Sequence, residues 1–418
     1  MRTYAEGGKT ALVLAGGGLT GAVYEMGALR AINDLLVDRT VNDFDIYVGT
    51  SAGALVSAML ANGISPQAMI QSLDGSYPGV REIQRGDIFN ISRTEMTHLI
   101  TRLPQRVGQA WYHYLRHLDD MTFFDFIWSL SDVLPAGIYD GMALERYLRQ
   151  VILKLGRSNR FQDLEKDLFI VATDLDSGNR KVFSRRDHVP ITYTVAASSA
   201  IPLVYKPVRI EGRDYVDGGL RGNASIDVAI EHGASLVVCI NPMVPFNNAD
   251  LHAIPDADPE AEFTYLSERG TQFVFNQATR IVTYSTIRYH IKQLRRSNPQ
   301  VDIILIEPRG DDYQMFFYNP MRYSARLTIA RHGFESVTLG LAEDYAIYRD
   351  ALGRHGIPMT RRLVIQELMR IRQSNYAPEV IREILESRSA GCSEDKDSPV
   401  CRLTRTLAEL ELLLDRVD

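Results

Sequence analysis

Ser51 sits at the centre of Gly49-Thr50-Ser51-Ala52-Gly53, and a second glycine cluster, Gly16-Gly17-Gly18-Leu19-Thr20-Gly21, precedes it in the chain. Each cluster is wedged between an apolar run and a stretch with helical spacing. A hydroxyl on a tight turn and a set of converging backbone N–H groups are the two parts that acyl transfer needs. One attacks a carbonyl, and the other holds the negative charge that results. Either part alone is weak, since G-x-S-x-G also describes an N-cap serine in an ordinary strand-to-helix loop.

The first cluster has a competing reading. Gly16, Gly18 and Gly21 fit G-x-G-x-x-G between a strand and a helix, the pattern of a nucleotide-binding oxidoreductase. That fingerprint wants an acidic residue closing the second strand. Here the strand closes in Gly49-Thr50-Ser51, with Asp43 and Asp45 in front of it. Oxyanion donors account for the glycines better. Without Cβ atoms, the N–H groups of Gly16, Gly17 and Gly18 can converge on one point, each donor worth about 2.7–4 kcal/mol of transition-state stabilisation in comparable enzymes.

The hydroxyl needs a base. None of the nine histidines follows a strand end within a glycine-rich turn; His232, at the end of an expected helix, comes nearest to doing so. Asp217 is the alternative, ending an expected strand and leading into Gly218-Gly219. Asp-Gly is also a common turn former, and an aspartate with a reference pKa near 3.9 is a feeble base unless desolvation raises it. The residues by themselves leave both bases open.

The elements that must position these groups read as α/β. Strands are expected at 11–15 and 45–48, each followed by a helix, at 22–37 and 52–62; Gly63 stops the second helix and Ser65-Pro66 starts another. Residues 67–138 are helical, polar and aromatic, too long for a plain connection, and suggest a helical insertion or cap. The rhythm then returns: helix 142–155, strands 168–174, 180–184 and 214–216, helix 225–232, strand 235–240, a long helix near 262–296 and strand 301–307. We expect a catalytic domain over 1–345 and a helical C-terminal extension over 346–418.

Composition narrows the class. With 45% hydrophobic and 23% charged residues the chain has ordinary globular make-up, and a net charge of -6 gives no reason to expect nucleic acid as partner. Cys239, Cys392 and Cys401 form neither a disulfide framework nor a zinc-site spacing, which points to a reducing, cytoplasmic setting. No stretch approaches the roughly 18 apolar residues of a membrane span, and MRTYAEGGKT lacks a signal-peptide core. A soluble or peripheral protein is the expectation.

Four ordered blocks now stand out: the two glycine clusters, Ala197-Ser198-Ser199-Ala200-Ile201-Pro202, and Asp217-Gly218-Gly219. They resemble the motifs of the patatin-like phospholipase family, over about residues 8–340. The resemblance implies a three-layer α/β/α sandwich around a mostly parallel sheet. It implies a Ser-Asp dyad without histidine, with Ser51 as nucleophile, Asp217 as base and the N–H groups of Gly16–Gly18 as oxyanion hole; Gly21, Gly49, Gly53, Gly218 and Gly219 complete the motifs. It also implies hydrolysis of phospholipid or other lipid acyl esters through an acyl-enzyme, as a phospholipase A or lysophospholipase would, with no metal or cofactor. The chain departs from the family at Thr20, where Arg or Lys is usual; backbone donors do not need that charge. An acyltransferase on the same dyad and an inactive scaffold are the remaining alternatives.

A lipid substrate calls for contact with a lipid surface. Phe123, Phe124, Phe126, Ile127, Trp128 and Leu130, and the cluster Met315-Phe316-Phe317-Tyr318, fit either an interfacial wedge or buried core. Arg288, Lys292, Arg295 and Arg296 suit anionic headgroups or a solvated helix end. The apolar spacing of the C-terminal helices also allows a homo-oligomer.

Overall fold

The apolar run after Lys9 forms strand β1 (Lys9–Leu14), buried from Thr10 onward, as a strand covered on both faces must be. The computed structural model describes residues 8–91, 136–247, 265–308, 323–343 and 345–386, with a few isolated positions between 104 and 116. In it β1 lies between β2 (Ile46–Thr50) and β9 (Ala234–Ile240), parallel to both. The sheet continues in parallel to β4 (Asp167–Asp174) beyond β2 and to β10 (Asp302–Ile306) beyond β9. Two strands run antiparallel to β4: β5 (Arg180–Phe183) along its far side, and β8 (Arg213–Asp217) along the side that β2 leaves after Thr50, with β7 (Val208–Ile210) paired to β8. A separate two-stranded ribbon joins β3 (Gly137–Tyr139) to β6 (Leu203–Tyr205).

Alternation along each strand divides the core in two. Leu12, Leu14, Tyr47 and Ile170 face one helical layer; Val13, Val48, Val171 and Cys239 face the other. The first layer is thick. It holds α1 (Gly18–Leu35), α2 (Ala52–Ala61), α3 (Pro66–Asp74), α4 (Arg85–Ile88), α5 (Met142–Lys154), α6 (Ile191–Ser198), α9 (Tyr323–Glu343), α10 (Tyr345–Arg354), α11 (Arg362–Gln373) and α12 (Pro378–Glu386). The second holds α7 (Ile226–Glu231) and α8 (Thr271–Ser297). The architecture is the three-layer α/β/α sandwich with a mostly parallel sheet.

Where the described residues test them, the expected strands and helices fall within a few residues of those observed, with three differences; most of the expected cap, at 92–135, lies outside the described residues. The long helix starts at Thr271, because Gly270 at φ 89° interrupts the chain before it. The short strands β3, β6 and β7 and the helix α6 carry too few residues for a periodic signal. Third, β8 runs against the parallel strands, which matters for the site.

Helix α9 crosses α1 closely: a Cβ on Gly27 would lie 1.8 Å from the Ala330 carbonyl oxygen, and one on Gly333 would lie 2.2 Å from that of Tyr24. The helices after it pack on the same layer. Arg30 of α1, fully buried, pairs with Asp34 and with Glu367 of α11, and Gln71 of α3 donates to the Glu386 carbonyl at 3.1 Å. The aromatic stretches around 123–130 and 315–318, and residues 387–418, lie outside the described residues.

Candidate active site

Ser51 stands between β2 and α2 with φ 54° and ψ −120°, a conformation that costs a non-glycine residue about 1–3 kcal/mol and aims its side chain off the top of the turn. Gly49 and Gly53 make that turn possible by close approach. A Cβ on Gly53 would come 2.2 Å from the Leu14 carbonyl oxygen, and one on Gly49 would come 2.5 Å from Gly53's. The strained backbone is clasped from α6 and the residue after it. Ser198 Oγ accepts the Ser51 N–H at 2.8 Å and donates to the Val171 carbonyl at 2.6 Å; Ser199 Oγ donates to the Ser51 carbonyl at 3.1 Å.

Asp217 reaches the serine by register. Thr50 pairs with Val171 at the end of β2, and Asp217 pairs with Ala172, the next residue along the same side of β4, whose other side is taken by β5. The carboxyl ends of β2 and β8 therefore meet head-on along β4, with Ser51 and Asp217 at the junction. The Gly218 turn then folds back over β4, where a Cβ would meet the Val171 carbonyl oxygen at 2.2 Å and the Thr50 methyl at 3.1 Å. From sequence, Asp217 is expected at the edge where the parallel strands end. In fact β8 is antiparallel to β4, and its carboxylate reaches that edge because β8 occupies the side of β4 that β2 leaves after Thr50.

The Ser51 hydroxyl stands beside the Asp217 carboxylate, close enough to favour its ionised form. The carboxylate also accepts the Gly219 N–H at 2.7 Å, and the Asp217 N–H donates to the Ala200 carbonyl at 2.9 Å. Residues 198–200 thus hold both partners. Burial raises the Asp217 carboxyl to about 6, against the lowering pull of the Ser51 hydroxyl and the Gly219 N–H. No cation contributes.

The first glycine cluster comes beside them. Gly16 packs on Ser51, since a Cβ there would lie 3.0 Å from the serine Cβ. Its amide, however, is engaged: Gly16 N–H donates to the Asn223 carbonyl at 3.3 Å, while Asn223 Nδ2 donates to the Gly16 carbonyl at 2.9 Å. Asn223 Oδ1 also borders Gly219, 3.1 Å from where its Cβ would be, so this buried amide links the first glycine cluster to the Asp217 turn. Gly17 and Gly21 pack under Pro242, and Gly18 turns the chain into α1 at φ 62°. Thr20 sits in the first turn of α1, its hydroxyl 3.4 Å from the Gly17 carbonyl.

Ser51 opens into a cavity of about 190 Å³. Val23 and Met26 of α1, Leu55 of α2, Ile88, Phe89 and Leu144 wall it, and its side-chain polar groups are the Ser51, Ser199 and Tyr205 hydroxyls. No histidine among the described residues lines it. His232 instead bonds through Nδ1 to the Val228 carbonyl at 2.8 Å and packs on Phe169, with the second layer. Among the described residues no three His, Cys, Asp or Glu side chains are arranged to hold a metal, and no helix is long and apolar enough to cross a membrane.

Sequence reasoning missed Ser198, Ser199 and Asn223 as parts of the site. The first two lie in the Ala197–Pro202 block, whose only signal was its resemblance; Asn223, six residues past Asp217, gave none.

These features meet a family pattern. The sequence pattern of patatin-like phospholipases matches residues 12–230, more than half of the chain, and the protein belongs to that family. It is 22% identical over 223 residues to "Probable lipid hydrolase 463L" of Invertebrate iridescent virus 6, covering 53% of this chain and 63% of the viral protein. It is 25% identical over 230 residues to "Uncharacterized protein YqhO" of Bacillus subtilis, covering 51% and 64% respectively. The chain thus spans less than two thirds of these relatives. The solved structure of VipD from Legionella pneumophila aligns with 99% of this chain and 87% of its own at 16% identity, with a TM-score of 0.36, too loose a likeness to carry weight.

Proposed function

We propose that the protein hydrolyses acyl esters of lipids, with Ser51 as nucleophile and Asp217 as its base. The observation that carries this reading is the juxtaposition of the Ser51 hydroxyl, which opens into an apolar cavity, with the buried Asp217 carboxylate, whose carboxyl is raised to about 6. A base poised near neutrality can accept the serine proton and still return it.

Ser51 Oγ attacks the ester carbonyl carbon as its proton passes to Asp217. The oxyanion is held by main-chain N–H groups of Gly17 and Gly18; Gly16, with its amide on Asn223, is the weaker donor of the three expected from sequence. The tetrahedral intermediate collapses, and Asp217 gives the proton to the leaving alcohol. A water molecule then loses a proton to Asp217 and attacks the acyl-serine, releasing the fatty acid and restoring Ser51. The acyl chain lies in the cavity, where each buried methylene adds about 0.8 kcal/mol. Contact with a lipid surface delivers the substrate.

Purified protein should release fatty acid from phospholipid vesicles and chromophore from nitrophenyl esters. Ser51→Ala is expected to lower both by about ten-thousand-fold or more, with an unchanged melting curve. Hydrolysis that survives the substitution ends this reading.

A further inference from the structure

Among the described residues, strand β10 is the last in its sheet and no strand covers its outer side. Asn241 donates its N–H to the Ile306 carbonyl at 2.9 Å, so the main chain at 302, 304 and 306 faces β9. Successive residues of a strand turn their N–H and C=O groups to opposite sides, which puts those of Ile303 and Leu305 on the outer edge. A second contact marks the same edge: the Arg295 guanidinium donates to the Ile303 carbonyl at 2.8 Å.

Sheet edges are usually blunted or covered. This one lies at the bottom of a groove of about 880 Å³, walled by α8 on one face and α10 on the other and running from Val301 past Leu305 to Glu307. The groove is cationic. Arg288, Lys292, Arg295, Arg296 and Arg354 line it against the carboxylates of Asp302 and Glu307, in a chain whose net charge is -6. Arg288 pairs with Glu307 at 2.6 Å and Arg354 with Asp302 at 2.7 Å. Lys292 and Arg296 make no ion pair among the described residues.

We propose that this groove binds an extended acidic segment of a partner protein, which adds to β10 as a further strand. Main-chain bonds to Ile303 and Leu305 supply affinity, and carboxylates on alternate residues meet Lys292 and Arg296. The charge complementarity selects an acidic occupant, and the walled edge selects an extended chain; a flat lipid surface cannot enter between two helical layers to reach main-chain groups.

The test uses the full chain and fluorescence anisotropy with a labelled peptide of alternating glutamate and valine, about as long as a typical strand. Its lysine–valine counterpart and a version methylated at its amide nitrogens serve as comparisons. The acidic peptide is expected to bind, with a loss of roughly tenfold or more for each comparison peptide and for the double variant Lys292→Glu, Arg296→Glu. Leu305→Pro removes the outward N–H at an edge position that tolerates proline, and should abolish binding while leaving the melting curve cooperative. Where that variant does not fold, the methylated peptide decides the matter. Absence of binding at about millimolar peptide, or binding indifferent to amide methylation, overturns strand addition. Anionic vesicles that bind through Lys292 and Arg296 while no peptide does would give the groove to lipid headgroups instead.

Discussion

Asp174 and Asp217 end two neighbouring strands, and each accepts N–H groups from the turn that follows it: Asp176 and Ser177 for the first, Gly219 for the second. Their proton affinities go opposite ways. Arg213 donates to Asp174 at 2.9 Å and, with Ser177, holds its carboxyl below the ordinary carboxylate range. Asp217 meets no cation, and burial lifts it to about 6. The same residue type in the same kind of turn is thus held as an anion in one place and poised near neutrality in the other. Burial without a counter-charge makes the difference.

The harshest way to break the comparison is Asp217→Asn. Hydrolysis should fall by about ten-thousand-fold, as when the orienting carboxylate of other serine hydrolases is neutralised, while the protein becomes more stable. Raising the carboxyl from 3.8 to about 6 means that ionising it in the folded state costs about 3 kcal/mol. The sign follows from linkage. Stability from the protonated carboxyl is fully present below the unfolded value and is lost as pH rises through about 6, so the advantage of the variant should open across that window and level off above it. Denaturant unfolding at several pH values measures this; a variant no more stable than its parent at pH 7.5 would contradict the buried charge.

A milder break removes the clasp. Ser198→Ala leaves the Ser51 N–H and the Val171 carbonyl without their partner, at about 1–3 kcal/mol of stability. A nucleophile displaced on its strained turn should also lose about a hundredfold in kcat. Unchanged kcat alongside a lowered Tm would mean that the serine only stabilises the fold.

The pH profile sharpens the comparison. With Asp217 as base, kcat/KM should climb about tenfold per pH unit up to about 6 and then level. Asp174→Asn, the smallest effect expected, should leave that profile in place, with rates within about twofold of the parent. A shift of the midpoint in that variant would show that the two carboxyls are coupled.

Much of the fold was legible because its signals are local. Alternating burial is written into the apolar strands β1, β2 and β9, and the glycines at 49, 53 and 218 stand where any Cβ would strike a neighbouring backbone atom. The short strands β6 and β7 were not, since three residues carry no period. For the base, the sequence offered His232 and Asp217 alike; only packing put one beside Phe169 and the other against Ser51.

The sequence by itself determined where the chain must turn tightly, which runs are buried, and that a serine and an aspartate each occupy a glycine-built turn, because these depend on sterics and hydrophobicity within a few residues. Tertiary structure alone decided the rest. The clasp on Ser51 joins residues 147 apart, and the Asn223 link to the first glycine cluster joins residues 207 apart. The reversed run of β8 and the exclusion of both water and cations from Asp217 belong likewise to the assembled sheet, since proton affinity is set by everything packed around a carboxyl and not by its neighbours in the chain.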